Sequence, residues 1–486
     1  MRIIAVATIF IFFIPSSGIA QKKNTTPNLE PVKAEAISDI QSRYEEYKKI
    51  ALQIWGFAEV GYKEEKSAAL LQKTLADNGF AVKAGIAEIP TAFIATYGSG
   101  KPVIGILAEY DALPGLAQQA LPQKTPIPGQ DAGHGCGHHL FGTASAAAAI
   151  ELKKLMDEKK ISGTIRVYGC PAEEGGSGKV YLTRAGLFND VDAVIHWHPD
   201  NNNAITMTKA LANSSAKFRF HGISAHAAGA PERGRSALDA VESMDYMVNM
   251  MREHLPSDTR IHYVITSGGK APNVVPDFAE VYYYVRNPNR DLVRSIFDRV
   301  VKAAEGAAMG TGTTMDYEII GGTYDLLLNK TLAEVMQKNL EKVGGVSYSS
   351  EEIEFAKKLQ TTFGTTPPAI ESAKTITPLK EIGDAGGGST DVGDVSWNVP
   401  TVGLRAATWI PGTPGHSWQA VACGGTEIGT KGMMVAAKTM ALTAVDLFTN
   451  PAVIEKAKEE FKKSTDGGFQ YKPLLGDRKP ALNYRD

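Results

Sequence analysis

The order of apolar and polar residues divides most of the chain into strand-like runs that alternate with helix-like segments. Residues 103–107 form a continuous apolar run, which is typical of a central strand buried on both faces. Residues 164–170 and 192–195 predict two more strands, and an alanine-rich segment at 140–159 predicts a helix after the first run. Alternating strands and helices predict an α/β fold with a mostly parallel wound sheet, in which sites gather at the carboxyl ends of the strands.

A different pattern begins near residue 211. The predicted elements are a strand at 217–221, a helix at 235–254, strands at 260–266 and 279–286, a helix at 291–308 and a strand at 314–320. This β-α-β-β-α-β order is that of a ferredoxin-like unit. We therefore expect a catalytic domain in two parts, 21–210 and 324–486, with a ferredoxin-like dimerisation or lid domain inserted at 211–323. Residues 350–388 give no clear element, and the tail after Pro451 is predicted to be peripheral.

The first 20 residues have the features of a secretory signal peptide. Arg2 precedes an apolar run at 3–14 that is too short to span a bilayer comfortably, and Gly18 and Ala20 are small residues suited to cleavage before Gln21. We expect an exported protein, periplasmic or secreted, and the alternative is an uncleaved membrane anchor. No later stretch is expected to cross a membrane. The net charge of −2 indicates no nucleic-acid partner.

Candidate chemistry concentrates in residues 131–139, which hold three histidines, one cysteine and one aspartate. The chain has only three cysteines, an odd and sparse set that does not indicate a disulfide framework. Cys136 and His138 are two residues apart, so a loop rather than a helix face would bring them onto one ion. Thiolate and imidazole are the usual ligands of zinc and its first-row neighbours. The alternative is a glycine-rich turn with surface histidines.

Four clusters fall at or near predicted strand ends, and a metal site would explain them together. They are Cys136 with His138, Glu173 with Glu174, His198, and His416. These donors exceed what one tetrahedral ion needs, whereas two ions a few ångströms apart would use all of them and would suit hydrolysis. In the glutamate pair, one carboxylate would bind metal while the other takes a proton from water. Taken singly, each feature has an ordinary structural explanation, such as a solvated surface pair or a turn residue.

Six motifs resemble those of the amidohydrolase branch of the co-catalytic-metal carboxypeptidase and aminoacylase family. They are His134-Gly-Cys-Gly-His138, Pro171-Ala-Glu-Glu174, Asp192-Ala-Val-Ile-His-Trp-His198, Ala225-His-Ala-Ala-Gly-Ala-Pro231, Asn273-Val-Val-Pro-Asp277 and Pro414-Gly-His416. The resemblance runs from about residue 44 to about residue 447. Variants at 108–114, 136–142 and 389–394 most resemble the aminobenzoyl-glutamate hydrolase group within that branch.

The resemblance implies two divalent metal ions in each chain, zinc or manganese. The implied metal ligands are Cys136, His138, Glu174, His198 and His416. Glu173 matches the general base, and His226 matches a lid histidine that reaches the site of a neighbouring copy and helps to hold the oxyanion. This implies a homodimer through the inserted domain. Asn273 and Arg286 are candidates for binding the substrate carboxylate, and for Arg286 a surface salt bridge is the alternative.

One position departs from the family pattern. Many relatives have aspartate after the Cys-Gly-His triplet, where this chain has His139. We expect this change to alter metal preference or the orientation of the metal ligands, without abolishing catalysis.

The expected reaction is hydrolysis of the amide between an acyl group and an amino acid with a free carboxylate. An aminobenzoyl-glutamate-like small molecule is expected by resemblance, and a dipeptide or another N-acyl amino acid is the runner-up. Lys179, Arg233 and Arg405 are candidate cations for a glutamate side chain. Two alternatives belong to other classes: a metal-binding module without turnover, and a single-metal serine or cysteine hydrolase with Cys136 as its nucleophile.

Overall fold

The computed structural model describes residues 29–383 and 386–485, so the predicted signal peptide at 1–20 lies outside the described residues. The strands are β1 (Ala81–Ala84), β2 (Phe93–Ser99), β3 (Val103–Ala108), β4 (Gly163–Gly169), β5 (Ala193–Asp200), β6 (Ala204–Ile205), β7 (Ala212–His221), β8 (Arg260–Ser267), β9 (Phe278–Asn287), β10 (Thr314–Thr323) and β11 (Thr401–Ala407). The α-helices are α1 (Glu30–Ser42), α2 (Tyr44–Phe57), α3 (Glu65–Asp77), α4 (His138–Lys159), α5 (Glu173–Gly176), α6 (Gly178–Arg184), α7 (Ala237–Met251), α8 (Arg290–Thr311), α9 (Lys330–Val343), α10 (Ser350–Gln360), α11 (Val392–Ser396), α12 (Trp418–Gly424), α13 (Glu427–Thr449) and α14 (Pro451–Ser464).

A seven-stranded mixed sheet forms the centre of the larger unit, in the order β1-β2-β4-β3-β5-β11-β6. The four strands β4, β3, β5 and β11 are parallel to one another, and antiparallel strands flank them on both sides. Every residue of β3 is buried, as expected for a central strand covered on both faces. The predicted α/β fold with a wound sheet is therefore confirmed, with antiparallel edges added.

Helix α13 is long and apolar enough to span a bilayer by length and composition. This differs from the expectation that no stretch after the N-terminus meets that test. In the fold, 83% of its apolar segment is buried, and it packs against α4 and α9. Its composition is therefore that of a core helix that is apolar on all sides.

A second, four-stranded antiparallel sheet is built from the order β7-α7-β8-β9-α8-β10 along the chain. Its strands lie side by side as β10-β7-β9-β8, and α7 and α8 pack on it over a separate apolar core. This is the predicted ferredoxin-like arrangement. It places β8 at one edge of the sheet, where one side of the strand has no neighbour within the described chain.

Local boundaries differ from the sequence-based expectations in three places. Helical periodicity from about residue 30 to residue 55 predicts one helical region, but the structure has two helices, because the backbone leaves the helical conformation at Arg43. Strand β5 continues through residues 196–199, so His196 and His198 lie on the strand rather than after it. In the unassigned region, α10 begins with a capping box in which Ser349 and Glu352 each satisfy the other's backbone N–H.

The tail after Pro451 is not peripheral. Beyond α14, Leu474 and Leu475 are buried, one in each apolar core. The Tyr471 hydroxyl donates to Asp394 Oδ1 at 2.7 Å, and Arg478 donates to two backbone carbonyls on β10. The expectation was wrong because these residues are isolated in the sequence and form no periodic pattern. The tail joins the two sheets.

Truncating a buried side chain of the tail tests this role. Leu475→Ala should lower the free energy of unfolding by about 2–4 kcal/mol, because Leu475 is 1% exposed and its loss leaves a cavity. Urea unfolding followed by tryptophan fluorescence measures the change. The control is Lys479→Ala, whose side chain is 85% exposed. Equal unfolding midpoints for the two variants would show that the tail does not contribute to the core.

Candidate metal centre and active site

The candidate site lies where the parallel strands end. Glu109 and Asp111 follow β3, Glu173 and Glu174 follow β4, His198 lies near the end of β5, and His416 follows β11. Most of these residues border a cavity of about 760 Å³ that is also lined by residues of the second sheet. The expectation that chemistry gathers at the carboxyl ends of the strands is thus met by the geometry.

Two groups of metal-donor side chains that share Cys136 meet in this cavity. Cys136, His138 and His198 form one group, and Cys136, Glu174 and His416 form the other, with the donor atoms of each group within 4.8 Å of one another. Cys136 Sγ is 3.3 Å from His198 Nε2, and Glu174 Oε1 is 3.1 Å from His416 Nε2. Thiolate, imidazole and carboxylate donors in this arrangement fit two divalent ions that share one sulfur.

Unusual backbone conformations shape the loops that carry these donors. Gly137, between Cys136 and His138, has φ +81°, and a Cβ there would lie 2.8 Å from the side chain of Pro199. His416 has φ 55°, a left-handed conformation that few non-glycine residues adopt, and its N–H donates to the Gly135 carbonyl at 2.9 Å. This hydrogen bond ties the His416 loop to the loop before α4. Such conformations are typical of functional sites held by a rigid scaffold.

Asp111 connects the two donor groups, a role that was not predicted from the sequence. His138 Nδ1 donates to Asp111 Oδ1 at 2.8 Å, and the Glu174 N–H donates to Asp111 Oδ2 at 2.9 Å. His138 Nε2 makes no hydrogen bond, although Glu109 Oε2 lies 3.1 Å away, and it is left for a metal ion. A carboxylate that orients a metal-binding histidine in this way fixes its tautomer and raises its basicity. The sequence feature that pointed to Asp111 was its position shortly after β3, the strand whose residues are all buried.

The protonation states of the site depend on burial and on the close acidic groups. Burial, followed by the neighbouring Glu174 carboxylate, raises the pKa of Glu173 well above its ordinary value. Burial also raises the pKa of the Cys136 thiol. For His138, burial opposes protonation, but Cys136, Asp111 and Glu109 outweigh it and raise the pKa. A site with this excess of acidic donors holds protons that divalent cations would displace.

A buried ion-pair network lies behind the site. Lys179 Nζ is 2.5 Å from Glu109 Oε1 and 2.7 Å from Asp391 Oδ1, and all three side chains are at most 1% exposed. Lys179 therefore has no free charge for a substrate, and its interpretation as a substrate-binding cation is wrong. It is needed inside the protein, because buried carboxylates are costly without a partner.

Three other predicted cations have different locations. Arg405 lines the cavity, but it pairs with Asp200 Oδ2 at 2.7 Å. Arg233 is 81% exposed and does not line the cavity. Arg286, on β9, does line it, with its guanidinium 5.2 Å from the centre of the Tyr284 ring and its Nε without a hydrogen-bond partner. Arg286 is therefore the one of these three whose charge is not neutralised by a described carboxylate.

His226 and Asn273 are not brought to the cavity of their own chain. They lie together in exposed loops next to the second sheet, where the Ala227 N–H donates to the Asn273 carbonyl at 3.0 Å. His226 Nδ1 accepts from the N–H groups of Ala228 and Gly229. Their predicted roles at a substrate site stay predictions.

His139 belongs to neither donor group. It is completely buried, its Nε2 donates to the Gly424 carbonyl at 3.0 Å, and its ring lies against that of His134. Burial lowers the pKa of His139 well below its ordinary value, so the ring is neutral. The residue that replaces the family aspartate therefore packs in the interior, while Asp111 holds His138.

Asp111→Asn tests the connection between the two donor groups. Both Asp111 oxygens accept hydrogen bonds, whereas an asparagine amide can accept at only one of the two positions and presents a donor at the other. We expect metal affinity to fall by about tenfold or more. Competition with a chromophoric chelator measures it. Asp131→Asn is the control, since the Asp131 side chain accepts from the Gly115 N–H at 3.1 Å and belongs to neither donor group. Equal affinities for both variants would contradict the role of Asp111.

Comparisons with known proteins agree with this geometry. Residues 105–405 match the peptidase family M20/M25/M40. The chain is 43% identical over 467 residues to one of the p-aminobenzoyl-glutamate hydrolase chains of Escherichia coli (strain K12), covering 91% of this chain and 97% of that one. It is 28% identical over 454 residues to a Mus musculus Xaa-Arg dipeptidase, covering 90% and 94%.

Solved structures show the same fold. A dinuclear metal-binding peptidase of Bacillus subtilis superposes with a TM-score of 0.57 at 16% identity, covering 84% of this chain and 99% of that one. An aminobenzoyl-glutamate utilisation protein of Klebsiella pneumoniae gives 0.56 at 16% identity, covering 86% and 98%. The family and the enzyme class expected from the sequence are confirmed. The chain belongs to the peptidase family M20/M25/M40 and is a metal-dependent hydrolase of amide or peptide bonds.

Proposed function

We propose that this chain is an exported two-metal amidohydrolase that releases glutamate from aminobenzoyl-glutamate-like substrates. The observation that carries the proposal is the pair of donor groups sharing Cys136 beside the additional carboxylate of Glu173. A relative that is 43% identical over nearly its whole length has the corresponding name. Because Glu173 borders one cavity together with Cys136, Glu174, His198 and His416, a metal-binding module without turnover is disfavoured.

Each donor group would hold one divalent ion, with zinc or manganese both compatible with the mixed sulfur, nitrogen and oxygen donors. The chemistry that such ions supply when bound is polarisation of the scissile carbonyl and a lowered pKa of water. Glu173 would accept the proton of the attacking water and deliver it to the leaving nitrogen. In the metal-free site, burial and the adjacent Glu174 carboxylate raise the pKa of Glu173.

The charges around the cavity support an acidic substrate over a dipeptide ending in arginine, which is one form of the dipeptide runner-up. Among the described residues that line it, Asp200 is neutralised by Arg405, whereas Arg286 has no carboxylate partner. A free guanidinium favours a substrate carboxylate, while a basic side chain would need an unpaired acid outside the metal centre. The likeness to Xaa-Arg dipeptidases keeps that reaction as the second candidate.

We also propose that this chain associates through β8 with a second chain of the same family. Strand β8 is an edge of the second sheet, and Tyr263, Val264 and Ile265 are 37%, 56% and 40% exposed, so the edge is both unpaired and apolar. His226 and Asn273 lie outside their own cavity, as they would if they served a neighbouring site.

The partner in this association is a second copy or a related chain. The 43% identical relative is named as one of two kinds of p-aminobenzoyl-glutamate hydrolase chain in Escherichia coli. The other kind also matches this chain, at 26% identity over 276 residues. A mixed pair of related chains is therefore an alternative to the homodimer expected from the sequence.

Export to the periplasm or the medium is part of the proposal. It is supported by the sequence of residues 1–20, with their single arginine, short apolar run and small residues before Gln21. An uncleaved membrane anchor is the alternative.

Hydrolysis of p-aminobenzoyl-glutamate by the metal-loaded protein tests the proposal directly. Glu173→Ala should lower kcat by roughly 10²- to 10⁴-fold, because it removes the group that moves the proton, while the metal content stays unchanged. Release of glutamate and metal analysis measure the two effects. Glu459→Ala, at an exposed position on α14, is the matched control. Turnover of Xaa-Arg dipeptides in place of p-aminobenzoyl-glutamate would establish the second candidate instead.

A charge on the edge strand tests the association. Val264→Lys should convert a two-chain assembly into single chains, because a lysine on an edge strand opposes pairing with another strand. Sedimentation analysis of purified protein measures the mass. Met309→Lys, at an 84% exposed position at the end of α8, should leave the mass unchanged. Single chains in the unmodified protein, or an unchanged mass for Val264→Lys, would contradict association through β8.

A further inference from the structure

Tyr484 and Arg485, in the C-terminal tail, contact the loop that carries Glu174. The Tyr484 hydroxyl donates to the backbone carbonyl of Glu174 at 3.0 Å, and Arg485 Nη2 donates to the same carbonyl at 2.6 Å. The Tyr484 ring also packs edge-on against Tyr62, with ring centres 5.5 Å apart. Two residues of the tail therefore contact the loop that carries a proposed metal ligand.

Glycines make room for this contact. A Cβ on Gly61 would lie 2.1 Å from the Tyr484 hydroxyl oxygen, so any other residue at position 61 would displace Tyr484. Gly175, next to Glu174, has φ +90° and faces the side chains of Tyr484 and Arg485. Together with the buried leucines upstream, these positions hold the tail in one place.

Arg485 has unused hydrogen-bonding capacity. It lines the cavity, its Nε is buried without a hydrogen-bond partner, and no ion pair joins it to a carboxylate in the described part of the chain. Its guanidinium lies 4.7 Å from the centre of the Tyr484 ring, which restricts its motion. Arg286, on β9 of the second sheet, has the same features: a buried, unpartnered Nε and an aromatic neighbour.

We propose that Arg485 binds the side-chain carboxylate of the acidic amino acid in the substrate, while Arg286 binds the α-carboxylate. This inference rests on the proposed function. A glutamate residue presents two carboxylates, and two restrained guanidinium groups from different elements supply the two matching sites. Because Arg485 also holds the Glu174 carbonyl, the carboxylate that it binds lies close to the metal centre. The selectivity for acidic amino acids is thus assigned to a residue of the tail.

The test compares two ligands that differ only in this charge. Arg485→Gln keeps an amide that can donate to the Glu174 carbonyl but removes the positive charge. In metal-loaded, full-length protein carrying Glu173→Ala to prevent turnover, titration calorimetry gives the Kd of p-aminobenzoyl-glutamate and of p-aminobenzoyl-glutamine. We expect Arg485→Gln to raise the Kd of the glutamate compound by about tenfold or more and that of the glutamine compound by less than about twofold.

Arg294→Gln is the matched control, because Arg294 donates to the tail at the Lys472 carbonyl and does not line the cavity. It should leave both Kd values unchanged. Equal weakening of both ligands by Arg485→Gln would mean that the tail only positions the Glu174 loop, and it would overturn the proposal. No effect on either ligand, or no binding of either ligand to the parent protein, would overturn it as well.

The proposed function and the role of Arg485 can be refuted independently of each other. If the protein with Glu173 intact does not hydrolyse p-aminobenzoyl-glutamate, but charge-dependent binding through Arg485 is observed, the site recognises acidic ligands and the reaction is misassigned. If hydrolysis occurs with equal kcat/KM for Arg485→Gln and the unmodified protein, the reaction stands and Arg485 is not its specificity residue.

Discussion

The sulfur of Cys136 belongs to both donor groups, and this sharing constrains the position of every other donor around it. Cys136 has to face His138 and His198 on one side and Glu174 and His416 on the other. No regular element can present all these groups, so the ends of four parallel strands and their loops supply them. The left-handed conformation at His416 is a local cost, of the order of 1–3 kcal/mol for a non-glycine residue. The rigid ends of a buried sheet hold these loops in place.

Charge balance explains the groups that surround the donors. Four carboxyl groups lie in a small, poorly solvated volume, those of Glu109, Asp111, Glu173 and Glu174. Among the described residues, Lys179 is the one buried lysine that forms an ion pair with this group, through Glu109. Such an excess of acidic groups is unfavourable in the absence of cations and favours divalent ions strongly. Hydrogen bonds join the loops that carry these groups. The Glu174 N–H donates to Asp111, and the His416 N–H donates to the Gly135 carbonyl in the loop before α4. Metal binding and loop order are therefore coupled.

Much of the fold could be predicted because it depends on periodic patterns. The buried run of β3 and the alternating residues of β7 and β9 are visible in the sequence, and strand order then brings the donors to one edge. Asp111 could not be assigned, because its role arises from two hydrogen bonds and not from spacing. His138 and His139 begin α4, where successive residues point about 100° apart, so His138 faces Asp111 and the other donors while His139 faces the Gly424 carbonyl. The tail was misjudged because Tyr484 and Arg485 reach the site through tertiary packing alone.

The central claim is that two divalent ions share the Cys136 sulfur. Titration of metal-free protein with Co²⁺ under reducing conditions, followed through the thiolate-to-cobalt charge-transfer absorption in the near ultraviolet, tests it most directly. A shared thiolate predicts that the absorption grows until two equivalents are bound and that it is absent in Cys136→Ser. Absorption that is complete after one equivalent, or that persists in Cys136→Ser, would contradict a sulfur bridge between two ions.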